Sequence, residues 1–270
     1  MRLIIIRNVN NNHSKVINTK NKKMKKVTLI LLTLCFLKSV TLANEVNVFS
    51  ARHYDSDIQL YNKFTSQTGI KVNVISGNDK SLQKRIIEEG KNSKADLYIT
   101  ADAGTLGLFD LKGMFQNSMS PAIKSAVPAN FRSKNWTGIA KRARIIYYSP
   151  ERVSANDLNG MTYEALANPK WKGRIVIRQS NNIYNQSLVA SLIDNNGKES
   201  TTIWAENLVK NMARDSKGND RAQILAVAAG EADLAIANTY YIGKMVDNKD
   251  KSQADAVKKV KIVQNLMFLI

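Results

Sequence analysis

The sequence predicts an α/β protein built as two successive lobes, and three observations predict it. Residues 46–109 read as strand, helix, strand, helix, strand, helix, the order of a parallel sheet with helices on its faces. Residues 139–263 read as a second strand and helix alternation, with no internal repeat and no low-complexity linker. The composition is 44% hydrophobic and 23% charged with only 4 Pro, which excludes a collagen-like or broadly disordered chain. A chain of 270 residues can bury one large or two smaller cores.

In the first lobe, Val46, Val48 and Phe49 mark a strand. Asp55 or Ser56 is placed to cap a helix with Ile58, Tyr61 and Phe64 as its apolar face and Gly69 as its stop. Val72, Val74 and Ile75 give a second strand, and Leu82, Ile86 and Ile87 a second helix that Gly90 ends. Residues 96–100 form a third strand before a helix carrying Leu106, Leu108 and Phe109. Residues 136–148 (WTGIAKRARIIYY) read as a long extended crossing between lobes.

In the second lobe, Thr162 caps a short helix ended near Pro169, and Ile175, Val176 and Ile177 form a strand. The loop from Arg178 to Asn185 opens a helix with Leu188, Val189, Leu192 and Ile193. Ile203, Trp204, Leu208 and Met212 mark another, and Asp220 is placed to cap the next, with Ile224, Leu225 and Val227. Residues 233–238 (DLAIAN) form a strand feeding Thr239, Tyr240 and Tyr241 and a last helix. The domain boundaries expected are 1–43, 44–138, 139–263 and an atypical tail at 264–270.

The formal charge of +18 comes from 40 Lys and Arg against 22 Asp and Glu. Nine of the basic residues and none of the acidic ones fall in residues 1–43, so the remainder carries only +9. That segment reads as an export signal. Lys25 and Lys26 precede an apolar run from Val27 to Leu37, and Thr41 and Ala43 supply small side chains before cleavage after Ala43. The run is shorter than the ~20 residues that span hydrocarbon. Met24 suits a natural start, with residues 1–23 an upstream extension. The other basic residues are scattered, and no nucleic-acid-binding pattern appears.

Cys35 is the only cysteine and lies in that signal, so disulfides, thiolate metal sites and cysteine nucleophiles are excluded from the mature chain. Of two histidines only His53 remains beyond the signal, which excludes multi-histidine zinc sites. No G-x-S-x-G elbow is present.

Four tyrosines share one topological position. Tyr54 follows the first strand, Tyr184 sits in the loop after residues 175–177, and Tyr240 and Tyr241 follow the DLAIAN strand. Ligands of open α/β sheets bind beyond the carboxyl ends of strands. Phenolates are hard oxygen donors that a strong Lewis acid such as Fe³⁺ strips of their protons. Four of them on Fe³⁺ leave one negative charge, which Arg144 is the candidate to balance, with Arg52 and Lys244 as weaker ones. His53, beside Tyr54, is a fifth ligand or a hydrogen-bonding neighbour, and the alternation of an extended strand favours the second role. Tyr61, Tyr98, Tyr147, Tyr148 and Tyr163 read as structural. A cleft lined with stacking tyrosines for a sugar or an amino acid fits the spacing equally well.

The segments FSARHYDSDIQLYNKFTSQTGIKV, WTGIAKRARIIYYS, NPKWKGRIVIRQSNNIYNQSLVASLI and GEADLAIANTYYIGKM resemble the periplasmic iron-binding proteins of ABC transporters, of the FutA type, over 44–263. The resemblance implies a type II two-lobed periplasmic binding fold and a monomer, a binding protein and not an enzyme, that captures Fe³⁺ and delivers it to a permease and ATPase. It implies the ligands Tyr54, Tyr184, Tyr240 and Tyr241, with His53 ligand or neighbour by member, and Arg144 behind them. Fe²⁺, held by neutral phenols and His53, is a variant that the sequence does not decide. The family continues past the equivalent of Val263, whereas this chain ends in QNLMFLI. The first lobe is therefore expected to be incomplete. The rivals are the same fold for another small solute or oxyanion, and a non-functional truncated product.

Overall fold

The computed structural model describes residues 2–4, 44–52, 54–263 and 268–269. The candidate export signal, residue His53 and residues 264–267 lie outside the described residues. Contacts divide the chain into two compact units, one of residues 4–100 and 110–137, the other of residues 1–3, 101–109 and 138–270. A short strand, β1 (Arg2–Ile4), comes first in the chain order.

The first unit is built on β2 (Glu45–Ser50), α1 (Asp55–Thr68), β3 (Lys71–Ser76), α2 (Asp79–Glu89) and β4 (Leu97–Ile99). Its three strands run parallel in the order β3-β2-β4, with Val48 opposite both Val74 and Leu97. That is the sheet the strand and helix order requires. Val48, Phe49, Tyr98 and Ile99 on the strands are buried with Leu82 and Ile86 of α2. Gly69 (φ 71°) and Gly90 (φ 51°) end the two helices, a backbone that only glycine adopts without cost.

Two local expectations for α1 are corrected. Its N-cap is Tyr54, whose carbonyl accepts from the Asp57 N–H at 2.9 Å, and not Asp55 or Ser56. Ile58 and Phe64 do not form a buried face: they are 58% and 39% exposed. The half-buried stripe is Asp57, Tyr61 and Thr65, spaced four apart, which turns Ile58 and Phe64 onto its flanks. Asp57 on that stripe pairs with Arg52.

The chain continues through α3 (Ala103–Leu111), α4 (Pro121–Ala126) and β5 (Thr137–Ala140), which pairs with β1. The second unit then adds β6 (Ala143–Tyr148), β7 (Ile175–Val176), α5 (Ile183–Asn196), α6 (Lys198–Lys210), α7 (Asp220–Ala228), β8 (Leu234–Asn238), α8 (Tyr240–Val246), α9 (Lys251–Lys258), β9 (Lys261–Ile262) and β10 (Phe268–Leu269). The extended crossing expected over 136–148 is thus two strands, interrupted at Lys141 and Arg142.

The second sheet is mixed. β8 pairs parallel with β7 and antiparallel with β6, and β9 and β10 both pair antiparallel with β6. Alternation along the strands sorts side chains into two cores. Ile146, Ile175, Leu234 and Ile236 face one, with Leu188 and Leu192 of α5 and Trp204 and Leu208 of α6. Ile145, Tyr147, Val176, Ala235 and Ala237 face the other, with Ile224 and Val227 of α7, Met245 of α8 and Ala256 of α9. The small alanines of β8 let α7 lie close. Among the described residues no helix is long and apolar enough to cross a membrane.

Candidate metal-binding site

The second unit gathers three of the four candidate tyrosines. α5 opens with Asn182 as N-cap, and its side-chain oxygen accepts from the Tyr184 N–H at 3.0 Å. That bond fixes the first turn and so the root of the Tyr184 side chain. β8 ends at Asn238, and α8 begins at Tyr240 without a side-chain cap. The two helix starts bring the Tyr184 and Tyr240 hydroxyl oxygens to 3.4 Å. Tyr240 and Tyr241 stack with ring centroids 4.4 Å apart and planes 28° from parallel. All three are half-buried, so their phenols remain reachable.

Burial raises the Tyr184 phenol well above its ordinary pKa, and the neighbouring Tyr240 hydroxyl adds to this while Arg142 opposes it. Burial also raises Tyr241, against a hydrogen bond with Tyr240. These two phenols are therefore protonated at neutral pH. A cation that takes them as phenolates must displace protons. Among the described residues no cluster of three or more His, Cys, Asp or Glu is placed to hold a metal ion.

Arg144 lies beneath this cluster and is fully buried. Its guanidinium pairs with Asp220 at 2.9 Å and reaches the side-chain oxygens of Asn185 at 2.5 Å and Asn238 at 3.3 Å. Asn185 follows Tyr184, and Asn238 stands two residues before Tyr240. Asp220 also accepts from the Asn238 N–H at 2.9 Å and from Arg178 at 3.2 Å. Burial pulls the Arg144 pKa down and Asp220 holds it up; an arginine keeps its charge under both. The expected cap of α7, Asp220, is corrected: the N-cap is Asn219, which accepts from the Ala222 N–H at 3.1 Å. Asp220, one residue on, turns inward to Arg144 instead.

Tyr54 stands in the first unit at the end of the segment after β2, half-buried. Arg52 lies over its ring at 5.3 Å from the centroid and pairs with Asp57. Lys244 lies 5.8 Å from the Tyr240 ring centroid. The tyrosines that read as structural include three whose hydroxyls have partners: Tyr98 donates to Asp79, Tyr147 to the Asn238 carbonyl and Tyr163 to the Arg144 carbonyl.

Two guanidiniums escape the sequence reading. Arg142 lies over the Tyr184 ring at 4.5 Å from the centroid, and Arg178 stands at 5.4 Å. Both have a signal, Arg142 in KRAR and Arg178 at the start of the loop that leads to Tyr184, but the charge argument singles out Arg144.

The chain is 49% identical over 218 residues to Iron uptake protein A1 of Synechocystis sp., covering 80% of this chain and 60% of that protein. It is 42% identical to Iron uptake protein A2 of the same organism, over 80% of this chain and 61% of that protein. The chain thus spans about 60% of the length of these curated relatives. Among solved structures, Trichodesmium FutA in complex with iron and citrate superposes with a TM-score of 0.77 at 46% identity, over 81% of this chain and 69% of that one. A ferric binding protein from Campylobacter jejuni gives 0.73 at 37%, over 81% and 69%. The α/β, type II fold of these iron-binding proteins is the fold of this chain. The family model described as bacterial extracellular solute-binding protein matches residues 92–264, more than half of the sequence. The chain belongs to the bacterial extracellular solute-binding protein family.

Proposed function

We propose that this chain is a binding protein that captures iron as cargo, as Fe³⁺, for an ABC import system in the periplasm. The ligands of this reading are the phenolates of Tyr184, Tyr240 and Tyr241 in the second unit and of Tyr54 in the first. His53 is a ligand or a neighbour of Tyr54, and Arg144 and Arg52 stand behind the ligands. The observation that carries it is the 3.4 Å approach of the Tyr184 and Tyr240 hydroxyls beside the stacked Tyr241. The iron named for the relatives supports the choice of cargo.

The mechanism follows from the donors. Ferric iron displaces three or four phenol protons, so binding weakens as pH falls. Arg144, Arg142 and Arg178, set against Asp220 and Asp102, leave one net positive charge to offset the one negative charge of four phenolates on Fe³⁺. The ion is then handed to a permease and its ATPase.

Titrating the metal-free protein with ferric citrate tests this. An intense visible absorption from phenolate-to-iron charge transfer is expected. A protein of intact fold that stays colourless overturns it.

A second reading rests on Arg142 and Arg178 beside Tyr184, which suit an organic carboxylate. Calorimetry with citrate and no iron separates the two. Heat of binding without metal favours the carboxylate.

A further inference from the structure

Arg142 reaches Tyr184 from a short break between two strands, and its guanidinium is fixed from forty residues earlier in the chain. Asp102 is 1% exposed, and its carboxylate lies 3.5 Å from Arg142. The guanidinium also donates to the Ala101 carbonyl. The carboxylate in turn is held on both oxygens: one accepts from the Gly104 N–H at 2.8 Å, the other from the Ser187 hydroxyl at 2.8 Å. Gly104 permits this approach, since a β-carbon there would stand 3.1 Å from the Asp102 oxygen. Ser187 lies on α5, three residues after Tyr184. Asp102 therefore ties together the helix that carries Tyr184 and the cation that covers its ring.

We propose that Asp102 is a positioning residue for Tyr184, acting by holding the Arg142 guanidinium over the phenol ring. A bare buried carboxylate is costly, and the cation that offsets the Asp102 charge is this same arginine. The burial of Asp102 is thus explained by what it does to Arg142. A guanidinium over a ring face is attracted to it, which restrains the phenol before any ligand arrives. Partners behind a ligand typically change metal affinity by about 10–100-fold. The inference deepens the proposed iron site and rests on that reading for its effect on metal, but not for its effect on the ring.

The test uses the full chain with Asp102→Asn, Arg142→Lys and Ser187→Ala. The asparagine keeps an oxygen for Gly104 and removes the charge. Lysine keeps the charge and loses the plane. In metal-free protein carrying ¹³C-tyrosine, the Tyr184 ring signal is assigned by its loss in Tyr184→Phe. It is expected to shift in Asp102→Asn and Arg142→Lys, and less in Ser187→Ala, while Tyr147 and Tyr163 stay in place. With ferric citrate, Asp102→Asn is expected to hold iron about 10-fold more weakly, with a displaced absorption maximum. An unmoved Tyr184 signal, or equal shifts at Tyr147 and Tyr163, overturns the positioning role. So do unchanged retention and an unchanged absorption maximum. Failure of the wild-type protein to take iron overturns the metal reading instead, and the ring signals still decide the role of Asp102.

Discussion

The Tyr184 hydroxyl oxygen stands 3.4 Å from that of Tyr240, although 56 residues separate the two in sequence. Each sits in the first turn of a helix that follows a strand of one sheet. Neighbouring strands β7 and β8 run parallel, so their carboxyl ends lie side by side, and so do the helix starts they feed.

With these phenols as ligands, Tyr240→Phe removes a donor atom and little else. Iron retention against a competing chelator is expected to fall on the order of 100-fold or more, beyond the loss from an outer partner. Tyr147→Phe removes only a buried hydrogen bond to the Asn238 carbonyl. It is expected to cost about 1 kcal/mol of stability and to leave retention near wild type. Equal losses in the two variants contradict the assignment.

Asp220 is fully buried against Arg144. Removing one partner of such a pair leaves the other charged and uncompensated. Asp220→Ala is expected to lower stability by about 3–5 kcal/mol in chemical denaturation. An effect below about 1 kcal/mol indicates that water reaches Arg144 and that the pair is not a buried strut.

Burial raises the phenol pKa of Tyr98, Tyr147, Tyr163 and Tyr184 in the folded chain. Unfolded, they titrate near pH ~10. Above that pH the unfolded state has lost protons that the native state keeps, so stability falls as pH rises. Below it, these groups give no slope. The expected loss is about 1.4 kcal/mol per pH unit for each phenol still protonated. Denaturation midpoints measured from about pH 8 to 11 check this, and a flat profile above pH ~10 contradicts it.

Asn182 caps α5 through the Tyr184 N–H. Asn182→Ala is expected to cost about 1 kcal/mol and to weaken iron retention, because the first turn carries the ligand. Asn219→Ala removes the comparable cap of α7 without touching a tyrosine-bearing turn. A retention loss in Asn219→Ala as large as in Asn182→Ala removes the link between cap and site.

Much of this is legible in the residues themselves. β-branched residues place β2 and β3, a short apolar run places β8, and glycines place the ends of α1 and α2. Strand-end position picks Tyr184, Tyr240 and Tyr241, which the fold brings together. The rest depends on information no local pattern holds. The start of α7 is one case: Asn219 and Asp220 are both able to cap, and only the buried Arg144 decides which turns inward. Apolar spacing gives the wrong inward face for α1, whose half-buried stripe is Asp57, Tyr61 and Thr65. Asp102 carries no sequence signal, since its partners Arg142 and Ser187 lie 40 and 85 residues away.

Resonance Raman spectra of the ferric-loaded protein, excited within its visible absorption, test whether tyrosine phenolates hold the iron. Enhanced phenolate ring modes are expected that diminish in Tyr184→Phe and Tyr240→Phe and persist in Tyr147→Phe. Iron bound without any phenolate mode, in a protein of intact fold, contradicts it.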